Sequence, residues 1–163
     1  MKLLLLASTI FVLFSQIELV AKQESSRDDR TLKISDDLLP LIDLLKKKGF
    51  NVNFETPPIQ NVYGLFNPKN KTLWISPMSF YQGIGRQTIL HEATHAAQSC
   101  PNGLLKPMNL ELPISPFLNN EIQRILLNNY DSNQYLIEKE AYSLQSQKNS
   151  VDILLKALNE RCK

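Results

Sequence analysis

"ILHEATHAAQ", residues 89–98, holds both histidines of the chain, four positions apart, with Glu92 directly after the first. On a helix, side chains at i and i+4 lie on one face a turn apart, so the imidazoles of His91 and His95 can reach a single ion. Glu92 lies about 100° around the axis from His91, near such an ion without having to bind it. A zinc-dependent hydrolase uses this placement. Two neutral nitrogens hold Zn2+, an open coordination position holds water, and the neighbouring carboxylate takes that water's proton as it attacks a carbonyl. The bland alternative is a polar helix face with two solvated or core histidines. Random placement of the same residues would produce His-Glu-x-x-His only on the order of once in a thousand arrangements.

Catalytic zinc needs a third protein ligand, and no histidine remains to supply it. Pro101 and Gln98 occupy the positions where a longer three-histidine motif carries histidine and glycine, so that motif is excluded. Thiolate from Cys100 is conceivable but competes with a disulfide to Cys162, the pairing that export would favour. Carboxylates therefore lead: Glu138 and Glu140 in "IEKEAY" (137–142), with Glu111 and Glu121 as outside candidates. Residues 138 and 140 project about 200° apart on a helix, so only one of them can face the metal.

Outward from this helix, the rest of the chain reads as one domain over 34–163. The whole chain of 163 residues, 43% hydrophobic and 21% charged, can bury a sizeable core without a metal to rescue folding. The net charge of +2 offers no footprint for nucleic acid. Residues 1–21 start with Lys2 and an apolar run from Leu3 to Phe14, too short to span a bilayer comfortably and of signal-peptide length. The expectation is a secreted or periplasmic protein with no membrane contact after cleavage; retention as an anchor is the lesser alternative. Residues 22–33 form a charged, solvated tail.

Leucines at helical spacing, Pro40 near the first turn and Gly49 as a stop predict a helix within 34–50, and "NVNFET" alternates like a strand. Asn61–Phe66 and Thr72–Ser76, parted by "NPKNK", predict a hairpin. "PMSFYQGIG" reads as a loop and 104–116, with its prolines, as irregular surface chain. Ser115-Pro116 should open a helix, Asp131 or Ser132 a second, and Ser150 a last one. Helices outnumber strands, the strands form a small antiparallel group before the histidine helix, and no βαβ alternation occurs. The expected class is α+β.

"ILHEATHAAQ" followed by "EKEAY", with "GLFNPKNKTLWIS" before it, resembles the small gluzincin-type zinc metallopeptidases over roughly Asn61–Gln147. The resemblance implies a zincin-like fold, His91 and His95 as zinc ligands, Glu92 as general base and Glu138 as third ligand. It implies that Thr72–Ser76 is an edge strand taking extended peptide by strand addition, with Trp74 lining the cleft or packing in the hairpin. Many relatives carry aspartate where this chain has Tyr142, which would orient a ligand histidine, donate to a developing oxyanion, or fill a helix interface. A non-catalytic exported zinc-binding or interaction module of the same fold is the competing reading.

Overall fold

A computed structural model of the protein describes residues 32–129 and 134–163. The expected signal, nearly all of the tail, and the expected cap at Asp131 or Ser132 lie outside them. Ile34–Lys163 form one compact unit. It is α+β, about half helical with a small mixed three-stranded sheet.

A 3-10 turn, Asp36–Leu38, leads into α1 (Leu39–Lys47), whose proline sits in the first turn and whose end is marked by Gly49 at φ 82°. That left-handed conformation is open to glycine at little cost. Strands β1 (Asn51–Asn53), β2 (Gly64–Asn67) and β3 (Thr72–Ile75) follow. The β2–β3 hairpin forms as its sequence suggests, turning through Pro68–Lys71.

The sheet departs from the expected antiparallel group, because β1 pairs parallel to β3, Asn51 opposite Thr72. Parallel pairing needs a long connection, and the chain from Phe54 to Lys71, which includes β2, supplies it. The order is therefore β1-β3-β2. Thr72–Ile75 is the central strand, not an edge, so its backbone has no free side for strand addition. Both of its ladders are occupied; β2 is the edge that remains beside the histidine helix. Trp74, opposite Leu65, is half-buried in the sheet.

"PMSFY" is also not a loop: α2 (Pro77–Tyr81) is a short helix whose first turn is started by Pro77 and capped by Ser76 Oγ, which accepts from Met78 N at 3.2 Å. The nearby Gly83 and Gly85 hid a helix of little more than one turn. α3 (Gly85–Gln98) carries the histidines. Beyond it lie α4 (Pro116–Asn129), capped by Ser115 Oγ accepting from Leu118 N at 3.2 Å, then α5 (Tyr135–Gln145) and α6 (Ser150–Arg161). Ser150 is the first residue of α6 and does not cap it; Asn149 takes the flanking position.

α3 is buried on nearly every side, packed by β2, β3, α2, α5 and α6. Its alanines make this possible: Ala93, Ala96 and Ala97 are fully buried and let neighbouring elements approach closely. Ile89 and Leu90 join Leu73, Ile75, Leu144, Leu154 and Leu158 in the core. Its buried hydroxyls stay paired, since Thr94 Oγ1 donates to Leu90 O at 2.8 Å and Thr88 Oγ1 to Ile84 O at 3.0 Å. Cys100, just past α3, is bonded to Cys162, just past α6. Arg161 reinforces that junction, donating from Nε to Ala97 O at 3.0 Å and from a terminal nitrogen to Cys100 O at 3.3 Å. Ala97 O, which also accepts from Cys100 N at 3.3 Å, and Cys100 O just past the helix are thus both bonded at the C-terminal end of α3.

Candidate metal centre

α3 presents His91 and His95 on one face, and α5 packs across that face and brings Glu138 to them. His95 Nε2 lies 3.1 Å from His91 Nε2. Glu138 Oε2 is 3.2 Å from His91 Nε2, and Glu138 Oε1 is 3.4 Å from His95 Nε2. Tetrahedral ligands held about 2.0–2.1 Å from a zinc ion stand roughly 3.3 Å from one another, so the separations suit one such ion.

The protonation pattern points the same way. Gln98 Nε2 donates to Ile137 O at 3.0 Å and to Glu140 Oε2 at 2.8 Å, two groups that offer it only acceptors. Its Oε1 therefore faces His95 Nδ1, at 2.8 Å, and that nitrogen must carry the proton. His91 Nδ1 likewise meets Gln145 Oε1 at 3.2 Å. When neutral, both rings turn bare Nε2 lone pairs toward each other and toward a carboxylate. Such a convergence is repulsive unless a cation or a proton occupies it. Glu138 Oε2 is buried and makes no hydrogen bond among the described residues. A group of two imidazoles and a carboxylate with this geometry can hold a metal ion.

Electrostatics around the group follow from burial and proximity. Burial pushes the Glu92 carboxyl above its ordinary range; the His91 and His95 charges pull it back in part, and Glu138 adds to the rise. Burial alone would lower His95, yet its hydrogen bond to Glu138 and the charges of Glu92 and Glu138, helped by Gln98, carry it above 6.5. For Glu138 burial opposes ionisation, but the contacts with His91 and His95 win and bring it down to about 2.

The other residues singled out from sequence have different places. Glu140 is buried and turns away from the metal group, accepting from Gln98, from Met108 N at 2.7 Å and from Leu110 N at 3.0 Å. Glu121 pairs with Arg124 at 3.1 Å on the exposed side of α4, and Glu111 borders a separate cleft. Cys100 is in its disulfide and so is not a thiolate ligand. Tyr142 packs its ring 4.7 Å from that of His91, at 65°. Gln98 and Gln145 escaped the sequence reading. Helical spacing could have exposed both, Gln98 three residues after His95 and Gln145 seven after Glu138.

A cleft of about 620 Å³ opens beside the group. His91, Glu92, Tyr142, Ile84 and Ile125 line it, together with the chain from Asn61 to Gly64 that enters β2. Gly64 lies directly against Glu92: a Cβ built there would fall 2.8 Å from Glu92 Cγ and 2.7 Å from Thr88 Cγ2. No signal in the sequence marks this approach. Trp74 is not among the residues lining the cleft.

A family model described as a domain of unknown function (DUF8637) matches residues 31–158. The chain belongs to this family. The DUF8637 match takes in every residue of the metal group and both glutamines that orient it. No curated protein and no solved structure matches the chain. No helix among the described residues is long and apolar enough to cross a membrane.

Proposed function

We propose that this chain is an exported zinc metallopeptidase with a zincin-like fold, of the small gluzincin type. The observation that carries the reading is the convergence of His91 Nε2, His95 Nε2 and the Glu138 carboxylate at 3.1–3.4 Å, beside a cleft into which Glu92 faces. A site of two imidazoles and one carboxylate suits zinc and leaves a coordination position open. His91, His95 and Glu138 would hold the zinc, which when bound would supply an electrophile for the scissile carbonyl and acidify the attacking water. Glu92 takes the proton of that water and returns it to the leaving amine; burial raises its basicity for this task. Tyr142, lining the same cleft, is the candidate donor to the developing oxyanion.

Extended peptide lies along β2, not along Thr72–Ser76. Tyr63 O accepts from Ser76 N at 2.8 Å, so the alternation of an antiparallel ladder turns the N–H and C=O of Gly64 to the open edge, beside Glu92. Export is supported by the apolar run Leu3–Phe14 and is compatible with the disulfide.

The test uses purified mature protein loaded with zinc and a broad peptide library. Wild type should cleave, and Glu92→Gln should keep stoichiometric zinc while losing at least a hundredfold in rate. A Glu92→Gln variant as active as wild type refutes the mechanism. Tight zinc with no cleavage in wild type favours the non-catalytic module instead.

A further inference from the structure

The chain between α3 and α4 has no regular structure over residues 104–115, yet it is fastened: Lys106 N donates to Gln98 O at 3.1 Å, Gln147 Nε2 donates to Pro113 O at 3.1 Å, and between them the chain is clamped around Asn109. Asn109 adopts φ 58°, and the amides on either side of it, Met108 N and Leu110 N, both donate to Glu140, at 2.7 Å to Oε2 and 3.0 Å to Oε1. Backbone N–H groups flanking a left-handed residue form a concavity that holds an anion. Here the anion is a buried side chain of α5, and its third partner is Gln98 Nε2 at 2.8 Å. Gln98 Oε1 in turn accepts a hydrogen bond from His95 Nδ1 at 2.8 Å. Hydrogen bonds thus run without a break from this loop to a candidate metal ligand.

We propose that the loop nest around Asn109 sets the metal affinity of His95, with Asn109, Glu140 and Gln98 as positioning residues. This rests on the metal half of the proposed function and is independent of hydrolysis. The chemistry is a choice of tautomer. With Glu140 clamped, Gln98 must point its amide nitrogen at Glu140 and its oxygen at His95, which leaves Nε2 bare for the metal. When the nest loosens, Glu140 loses two of the three donors that hold it and can swing away from Gln98, whose Nε2 is then held only by Ile137 O, so that the amide can reverse. Its NH2 would then face His95 Nδ1, the ring proton would move to Nε2, and the ligand position would be blocked. Because coupling is reciprocal, metal binding must also tighten the loop.

Two measurements test this on the mature protein. Zinc affinity is read by competition with a chromophoric chelator, with circular dichroism as the check on folding. Asn109→Val, whose branched side chain resists positive φ, should weaken zinc about tenfold, and Glu140→Gln by about ten- to a hundredfold. Asn109→Gly, which keeps the conformation, should stay within about twofold. Amide exchange on wild type needs no variant: zinc should slow exchange at Met108 and Leu110. Folded Asn109→Val and Glu140→Gln proteins with wild-type affinity overturn the proposal, as do exchange rates at the two amides that ignore zinc. Variant-sensitive zinc binding without peptide cleavage sinks only the peptidase reading. Cleavage with insensitive zinc binding sinks only this one. A wild type that binds no zinc refutes both.

Discussion

Replacing Gly64 by alanine forces a methyl group into space that α3 already fills. The added Cβ would lie 2.7 Å from Thr88 Cγ2 and 2.8 Å from Glu92 Cγ, and closer still to Glu92 Oε1. Carbon atoms rest about 3.5–4.0 Å apart, so relief needs a displacement of roughly 1 Å. Thr88 is held by its bond to Ile84 O at 3.0 Å, and Gly64 by its place in the ladder opposite Ile75. The Glu92 carboxylate is the part free to give way. Overpacking of this kind costs about 1–3 kcal/mol, and moving a catalytic group by about 1 Å costs on the order of a hundredfold in rate. The three atoms nearest the added methyl belong to Glu92 and Thr88, not to the metal-group side chains. Gly64→Ala should therefore melt several degrees lower, keep stoichiometric zinc, and lose about a hundredfold in kcat/KM on a fluorogenic peptide. Wild-type kcat/KM in this variant would refute the close approach of β2 to Glu92 as a feature of the working site.

Glu138→Ala should abolish stoichiometric zinc by metal analysis, whereas Glu121→Ala and Glu111→Ala should leave it intact; retention in Glu138→Ala would move the third ligand elsewhere. Cys162→Ser opens a link between residues 62 apart and should cost about 2–5 kcal/mol, read as a lower midpoint in denaturant, with an unchanged midpoint counting against the link. In metal-free protein the stability contributed by His95 and Glu138 together should be greatest between about pH 4.5 and 6.5, while Glu92, raised by burial, withdraws stability as pH climbs above 4.5. His95, raised above 6.5, contributes stability that is present below that value and lost as pH climbs through its folded pKa. Glu138, lowered to about 2, contributes stability that is present above 4.5 and lost as pH falls toward 2. Zinc requires unprotonated rings, so the rise in melting temperature on adding zinc should grow from pH 5.5 to 8. A rise independent of pH would contradict the imidazole ligation.

Much of the local structure was legible in the chain. His91 and His95 were placed on one helix face by their spacing alone, Ser115-Pro116 opened α4, and Gly49 closed α1, because caps, breakers and 3.6-residue periodicity act over a few residues. Glu138 was singled out over Glu140 by resemblance to a motif, and tertiary packing gave each carboxylate its own surroundings.

Apart from the Cys100–Cys162 link, expected from export and the two cysteines, and the meeting of Glu138 with the histidines, implied by the resemblance, the relations between segments far apart in the chain lay beyond the sequence. The resemblance implied an edge strand at Thr72–Ser76, but the connection from Phe54 to Lys71 lays β1 against that strand and leaves β2 beside the histidine helix. Gly64 meets Glu92, Gln145 meets His91, and the amides around Asn109 meet Glu140 only because α5 and the sheet close on α3 from different directions. The amino-acid order by itself determined which groups could bind a metal ion, since residue chemistry and helical spacing are local. The tertiary structure alone decided which of them converge, since that depends on how buried faces pack.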